Sequence, residues 1–124
     1  MGKIRVLVVD DHKYVRYGLK IALGIFDAIE FIGEASNGLE AIDLCNQLRP
    51  DVVLMDLSMP EMDGISATRQ IHQMHPEIRI IALTAAAEER LIETVLRAGA
   101  AGFLMKNSSV DDVANTIIKT AKAS

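Results

Sequence analysis

Asp10 and Asp11, Asp56, Thr84 and Lys106 each stand where a short apolar run of the sequence stops. Three carboxylates held close together repel one another, and at neutral pH they need either a cation or raised pKa values. Hard oxygen donors in a partly hydrated site suit Mg²⁺, which takes one or two carboxylates, retained waters and a phosphate oxygen. Lys106 offers a compact positive charge opposite them. With Thr84 as a hydroxyl donor, the set has the parts of a phosphoryl-transfer site: a carboxylate nucleophile, a metal, a cation for another phosphoryl oxygen and a hydroxyl for the product. Asp56 is the best nucleophile candidate because it stands alone, whereas Asp10 and Asp11 are neighbours and more naturally share the metal. An acidic residue after a strand is often only a helix cap. The joint occurrence of all five residues is what favours chemistry.

Such a set works only if the chain brings it to one place. Ile4 to Val9 is apolar except for Arg5, the pattern of a strand covered on both faces. Val15, Leu19, Ala22, Leu23 and Phe26 follow at helical spacing. The strand-and-helix unit then recurs four times. Residues 30–35 form a strand, Asn37 with Glu40 makes a capping box, and Ala41, Ile42, Cys45 and Leu48 line a helix that Pro50 stops. Residues 52–55 form a third strand, followed by a loop through Pro60 and a helix from Gly64 that carries Ile65, Ile71 and Met74 and ends before Pro76. Residues 78–83 are a fourth strand and 87–97 its helix, with Gly99 as a left-handed cap. A strand over 103–105 and a helix capped by Ser109, facing inward through Val113, Ala114, Ile117 and Ala121, complete the chain. Strict alternation of this kind implies a doubly wound parallel α/β sandwich, in which ligands sit at the carboxyl ends of the strands. The candidate residues are the ones that end the strands.

The 124 residues suit one domain, residues 1–124. With 17 acidic against 13 basic residues the net charge is −4, and there is no Lys/Arg run, which argues against this chain itself gripping nucleic acid. The lone Cys45 calls for no oxidising compartment, and no apolar stretch is long enough for a signal core or a membrane span. A cytoplasmic protein with no membrane partner is expected. His12 reads as a helix-start or surface residue, His72 and His75 as a solvated helix end, Cys45 as a small hydrophobe, and Met55, Met59 and Met62 as packing.

The segments Asp10-Asp11, Asp56-Leu57-Ser58-Met59-Pro60-Glu61-Met62-Asp63-Gly64, Leu83-Thr84-Ala85 and Lys106 resemble the receiver domain of bacterial two-component response regulators over essentially the whole chain. Val9-Asp10-Asp11-His12, Val15-Arg16, Gly18-Leu19 and the stretch from Arg97 to Lys106 resemble the NarL/LuxR type in particular. The resemblance implies a CheY-like (flavodoxin-like) fold with five helices and a five-stranded parallel sheet of order 2-1-3-4-5. It implies that Asp56 takes a phosphoryl group from a histidine kinase. Mg²⁺ would be held by Asp11, Asp56 and the Ser58 backbone carbonyl, with Asp10 acting through water. Thr84, Lys106 and the Ala85 backbone N–H would contact the phosphoryl oxygens, and Thr84 with Phe103 would form the switch. It further implies a homodimer on phosphorylation and DNA binding only through a helix-turn-helix domain beyond residue 124. Where many receivers have proline this chain has Asn107, and a cis bond before it would cost about 3 to 4 kcal/mol. Ser58 and Ala86 hold the positions that set phosphate lifetime in this family, and Ala86 has no side chain to orient water, so a long-lived aspartyl phosphate is expected.

Two other functions compete. A haloacid-dehalogenase-like aspartyl phosphohydrolase also uses an Asp nucleophile and Mg²⁺, but it carries an acid two residues later, where this chain has Ser58. A receiver-like interaction module that is never phosphorylated would not need the intact set of acids, Thr84 and Lys106. Nucleotide binding is disfavoured because no Gly-rich phosphate loop follows any strand.

Overall fold

The computed structural model describes residues 2–59, 62–85 and 88–123. The elements alternate: β1 (Ile4–Val9), α1 (Lys13–Leu23), β2 (Ile29–Ala35), α2 (Gly38–Leu48), β3 (Val52–Asp56), α3 (Gly64–Met74), β4 (Arg79–Thr84), α4 (Glu89–Arg97), β5 (Gly102–Met105) and α5 (Val110–Lys122). The strands pair in parallel in the order β2-β1-β3-β4-β5, the expected CheY-like sheet. One register shift falls between Val6 and Leu7 in the β1–β2 pairing.

The central strands are apolar on both faces because both are covered. Val6, Val8 and Leu54 pack with Leu23 of α1 and with Val113, Ala114 and Ile117 of α5. Leu7, Val9, Val53 and Met55 point the other way, against Ala41 and Cys45 of α2 and Ala67 and Ile71 of α3. Ala82 meets Val95 of α4. Burial pushes the Cys45 thiol up to about 12, so this cysteine is a small core hydrophobe and no nucleophile.

Helix starts follow local chemistry. Asn37 accepts a hydrogen bond from the Glu40 N–H at 2.9 Å, and Glu40 Oε1 accepts in return from the Ser36 N–H at 2.9 Å. Asp63 accepts from the Ser66 N–H at 2.8 Å and Ser109 from the Asp112 N–H at 3.1 Å. Gly99 has φ 117 after the end of α4, the left-handed stop that its position announced. Gly64 is required for a different reason. A Cβ there would lie 2.1 Å from the Asp56 carbonyl oxygen, so glycine lets α3 start against the end of β3.

Several expectations need correction. Val15 and Met74 are exposed, at 38% and 51%. The helical period continues past the margin of the core at both positions. His75 is buried at 6%, with its Nε2 2.7 Å from Asn46 Oδ1 on α2, so it is no solvated helix end; His72 is exposed. Arg49 closes α2 in a left-handed conformation with φ 49, a role usually given to glycine. The start of the fourth helix at Ala87, the loop residue Pro60 and the Ala86 position lie outside the described residues. There is no cis peptide among the described residues, so the Lys106–Asn107 bond is trans. Among the described residues no helix is long and apolar enough to cross a membrane.

Candidate functional site

The sheet register assembles the site. Val9 pairs with Met55, so Asp10, one residue past β1, lies beside Asp56, the last residue of β3. Asp56 pairs with Leu83 and Thr84 with Met105, which places Thr84 and Lys106 next along the same edge. The strand order reverses between β1 and β3, the position where open α/β sheets leave a crevice for ligands.

Asp10 and Asp56 are buried, at 0% and 1% exposure. Lys106 Nζ lies 3.1 Å from Asp10 Oδ2 and 3.1 Å from Asp56 Oδ1. Asp56 Oδ1 also accepts from the Ser58 N–H at 3.2 Å. Burial raises the Asp56 pKa, and the Asp10 charge adds to this, while the Ser58 N–H and the Lys106 ammonium oppose it. For Lys106, burial alone would lower the pKa; the carboxylates of Asp56 and Asp10 outweigh it and leave the ammonium held above its ordinary value. The Lys106 backbone N–H donates to the Thr84 carbonyl at 2.8 Å, which fixes the end of β5 against β4.

A cavity of about 270 Å³ opens on this edge, lined by Asp56, Ser58, Thr84, Ala85 and Lys106, with Leu57, Leu83, Glu88 and Leu91 around them. Asp10, Asp11, His12 and Asp56 each offer a donor atom within 4.8 Å of the others. Asp56 Oδ2 is buried with no hydrogen-bond partner among the described residues. Oxygen-rich donors with an unsatisfied, buried carboxylate oxygen fit a hard divalent cation.

The structure thus gathers Asp10, Asp11, Asp56, Ser58, Thr84, Ala85 and Lys106 at one edge. Phe103 stands apart: it pairs with Ala82, is 41% exposed and does not line the cavity. His12 holds the position before α1, as a helix-start residue should, yet its Nδ1 also lies 3.1 Å from Asp10 Oδ1 and from Asp11 Oδ1. Arg16 escaped sequence reasoning as a functional residue. Its Nη1 donates to the Asp10 carbonyl at 2.7 Å and its Nε to Glu34 Oε1 at 2.6 Å. Periodicity could place Arg16 on α1 but gave no sign of a bond back to β1.

The response regulator receiver domain family matches residues 6–118. The chain is 40% identical over 119 residues to the response regulator protein VraR of Staphylococcus aureus, covering 96% of this chain and 57% of that one, so it spans little more than half the length of that relative. Among solved structures, the signal receiver domain of the putative response regulator NarL from Mycobacterium tuberculosis superposes with a TM-score of 0.95 at 33% identity, over 100% of both chains. A LuxR-family two-component response regulator from Aurantimonas sp. SI85-9A1 gives 0.91 at 31% identity, over 97% of this chain and 86% of that one. With the fold and the strand order in agreement with these matches, the chain belongs to the response regulator receiver domains of two-component systems, and within them to the NarL/LuxR type.

Proposed function

We propose that this receiver is a phosphoaccepting switch in which Asp56 is the acceptor and a histidine kinase the physiological donor. The observation that carries the reading is the placing of Asp56: a buried carboxylate with one oxygen that has no hydrogen-bond partner among the described residues, facing a cavity that also exposes Lys106, Thr84 and Ala85. In the transfer, an Asp56 carboxylate oxygen forms a bond to phosphorus while the donor's bond to phosphorus breaks, and the leaving group keeps that electron pair. Lys106, now paired with Asp10 and Asp56, is within reach of a phosphoryl oxygen once Asp56 carries the group. Thr84 and the Ala85 N–H would bind the remaining oxygens. Mg²⁺ bound by Asp10, Asp11, Asp56 and the Ser58 carbonyl would neutralise charge that develops on the phosphoryl oxygens. By the NarL/LuxR resemblance, the proposal includes a helix-turn-helix output domain outside this chain, DNA binding through that domain, and dimerisation on phosphorylation.

The phosphorylated state would draw Thr84 toward the phosphoryl group and turn the exposed Phe103 ring inward, shifting the populations of two conformations of one fold. A phosphohydrolase reading lacks its general acid, because the position two after Asp56 is the exposed Ser58. The test is incubation with acetyl phosphate and Mg²⁺ followed by intact mass. A phosphorylated species in the wild type and none in Asp56→Asn supports the reading. Steady turnover of phosphomonoesters would favour a hydrolase, and inertness an interaction module. A phosphoryl half-life of only seconds would overturn the expected long lifetime.

A further inference from the structure

Arg16 lies outside both the cavity and the carboxylate cluster, yet its guanidinium is the link between them and β2. Its side chain is only 15% exposed. Nη1 donates to the Asp10 carbonyl, and that carbonyl belongs to the peptide that joins Asp10 to Asp11. The other groups of Asp10 are already fixed: its N–H donates to the Ala35 carbonyl at 3.0 Å, and Oδ1 accepts from the His12 N–H at 2.8 Å. Asp11 is held less firmly: its buried Oδ1 makes no hydrogen bond among the described residues, and its near neighbour there is the exposed His12 ring, with Nδ1 at 3.1 Å. The backbone from which Asp11 presents its carboxylate is set by the peptide that Arg16 holds.

We infer that Arg16 is a positioning residue for the divalent cation, clamping the Asp10–Asp11 peptide so that both carboxylates face one point. The inference rests on the reading of the acidic edge as a Mg²⁺ site. Glu34 completes the device. A bare guanidinium bonded to the Asp10 carbonyl would weaken cation binding nearby by its charge, and the ion pair with Glu34 at 2.6 Å offsets that charge while leaving Nη1 free to hold the carbonyl. Arg serves here because its planar fork satisfies two acceptors in fixed directions. Hydrogen-bonded partners that orient metal ligands typically control affinity by about 10- to 100-fold.

The two effects of removing Arg16 have opposite signs, which makes the test sharp. Mg²⁺ affinity of the 124-residue chain is measured by titration calorimetry at constant ionic strength, for the wild type, Arg16→Met, Arg16→Lys and Glu34→Gln. The clamp requires Arg16→Met to weaken binding roughly tenfold or more, although it removes a positive charge. Arg16→Lys should fall between, and Glu34→Gln should weaken binding in a way that added salt relieves. In Arg16→Met, the Mg²⁺ concentration for half-maximal phosphorylation by acetyl phosphate should rise, with the extent at saturating Mg²⁺ unchanged. Unchanged or tighter binding in Arg16→Met overturns the clamp. Absence of Mg²⁺ binding by the wild type instead overturns the underlying site reading. Melting curves in chelator show which variants are folded, and Arg16→Lys carries the test if Arg16→Met is not.

Discussion

Asp56 is held in the folded chain against its own preference for water. Burial raises its pKa, and the Ser58 N–H and Lys106 counter this only in part. The consequence for stability has a definite sign. Below the ordinary carboxylate range Asp56 is protonated in both the folded and unfolded states, and the stability linked to it is fully present. As pH rises through its elevated folded value, the unfolded chain has already ionised while the folded one resists, and that stability is lost. Asparagine does not titrate. In metal-free buffer, urea unfolding of Asp56→Asn and wild type at pH 4 and pH 7 should therefore show the variant gaining stability relative to wild type as pH rises; a gap that moves the other way would mean that Lys106 overcompensates for burial. The same residue is where sequence reasoning worked best and also where it stopped. The position of Asp56 at the end of an apolar run was legible, as were Asp10, Thr84 and Lys106 at theirs. The clamp by Arg16 was not, because a hydrogen bond to a backbone carbonyl leaves no mark on residue type or period.

At the scale of elements, α3 sits with one flaw in an otherwise satisfied interface. Thr68 is 0% exposed and its Oγ1 has no hydrogen-bond partner among the described residues. A buried hydroxyl left unpaired costs about 1 to 3 kcal/mol, while a methyl of the same shape has no such penalty. Thr68→Val is expected to stabilise the protein by about 1 kcal/mol, read as an upward shift of the urea midpoint at unchanged slope. A loss of stability would reveal that the hydroxyl is paired in solution. The element boundaries were legible wherever caps and apolar runs agree, as at Asn37 and Ser109. His75 was misjudged for an instructive reason. Its partner Asn46 is 29 residues away on α2, and a contact between neighbouring helices cannot be read from the spacing within either one. Val15 and Met74 continue the helical period of apolar residues past the margin of the core, and periodicity alone cannot see where the core ends.

For the whole molecule, the parallel sheet turns a modest acidic excess into one concentrated edge. The chain carries a net charge of −4, and three of its carboxylates converge where β1 and β3 end. That convergence follows from topology: alternating strands and helices imply covered parallel strands, but which strands are neighbours depends on the order β2-β1-β3-β4-β5, which became legible only through the receiver resemblance. Repulsion among these carboxylates works against folding, so a cation that binds the folded state alone must stabilise the molecule as a unit. Binding at about 100 times the dissociation constant contributes about 2.7 kcal/mol, which for a domain of this size corresponds to a rise of roughly 10 °C in Tm. The measurement is a thermal melt in chelator and then in saturating MgCl₂. A control in NaCl of equal ionic strength separates binding from screening. The full rise is expected with MgCl₂, little with NaCl, and most of it lost in Asp11→Asn, whose carboxylate is the more exposed of the adjacent pair. An equal rise in both salts would show that the edge is merely screened and holds no specific ion.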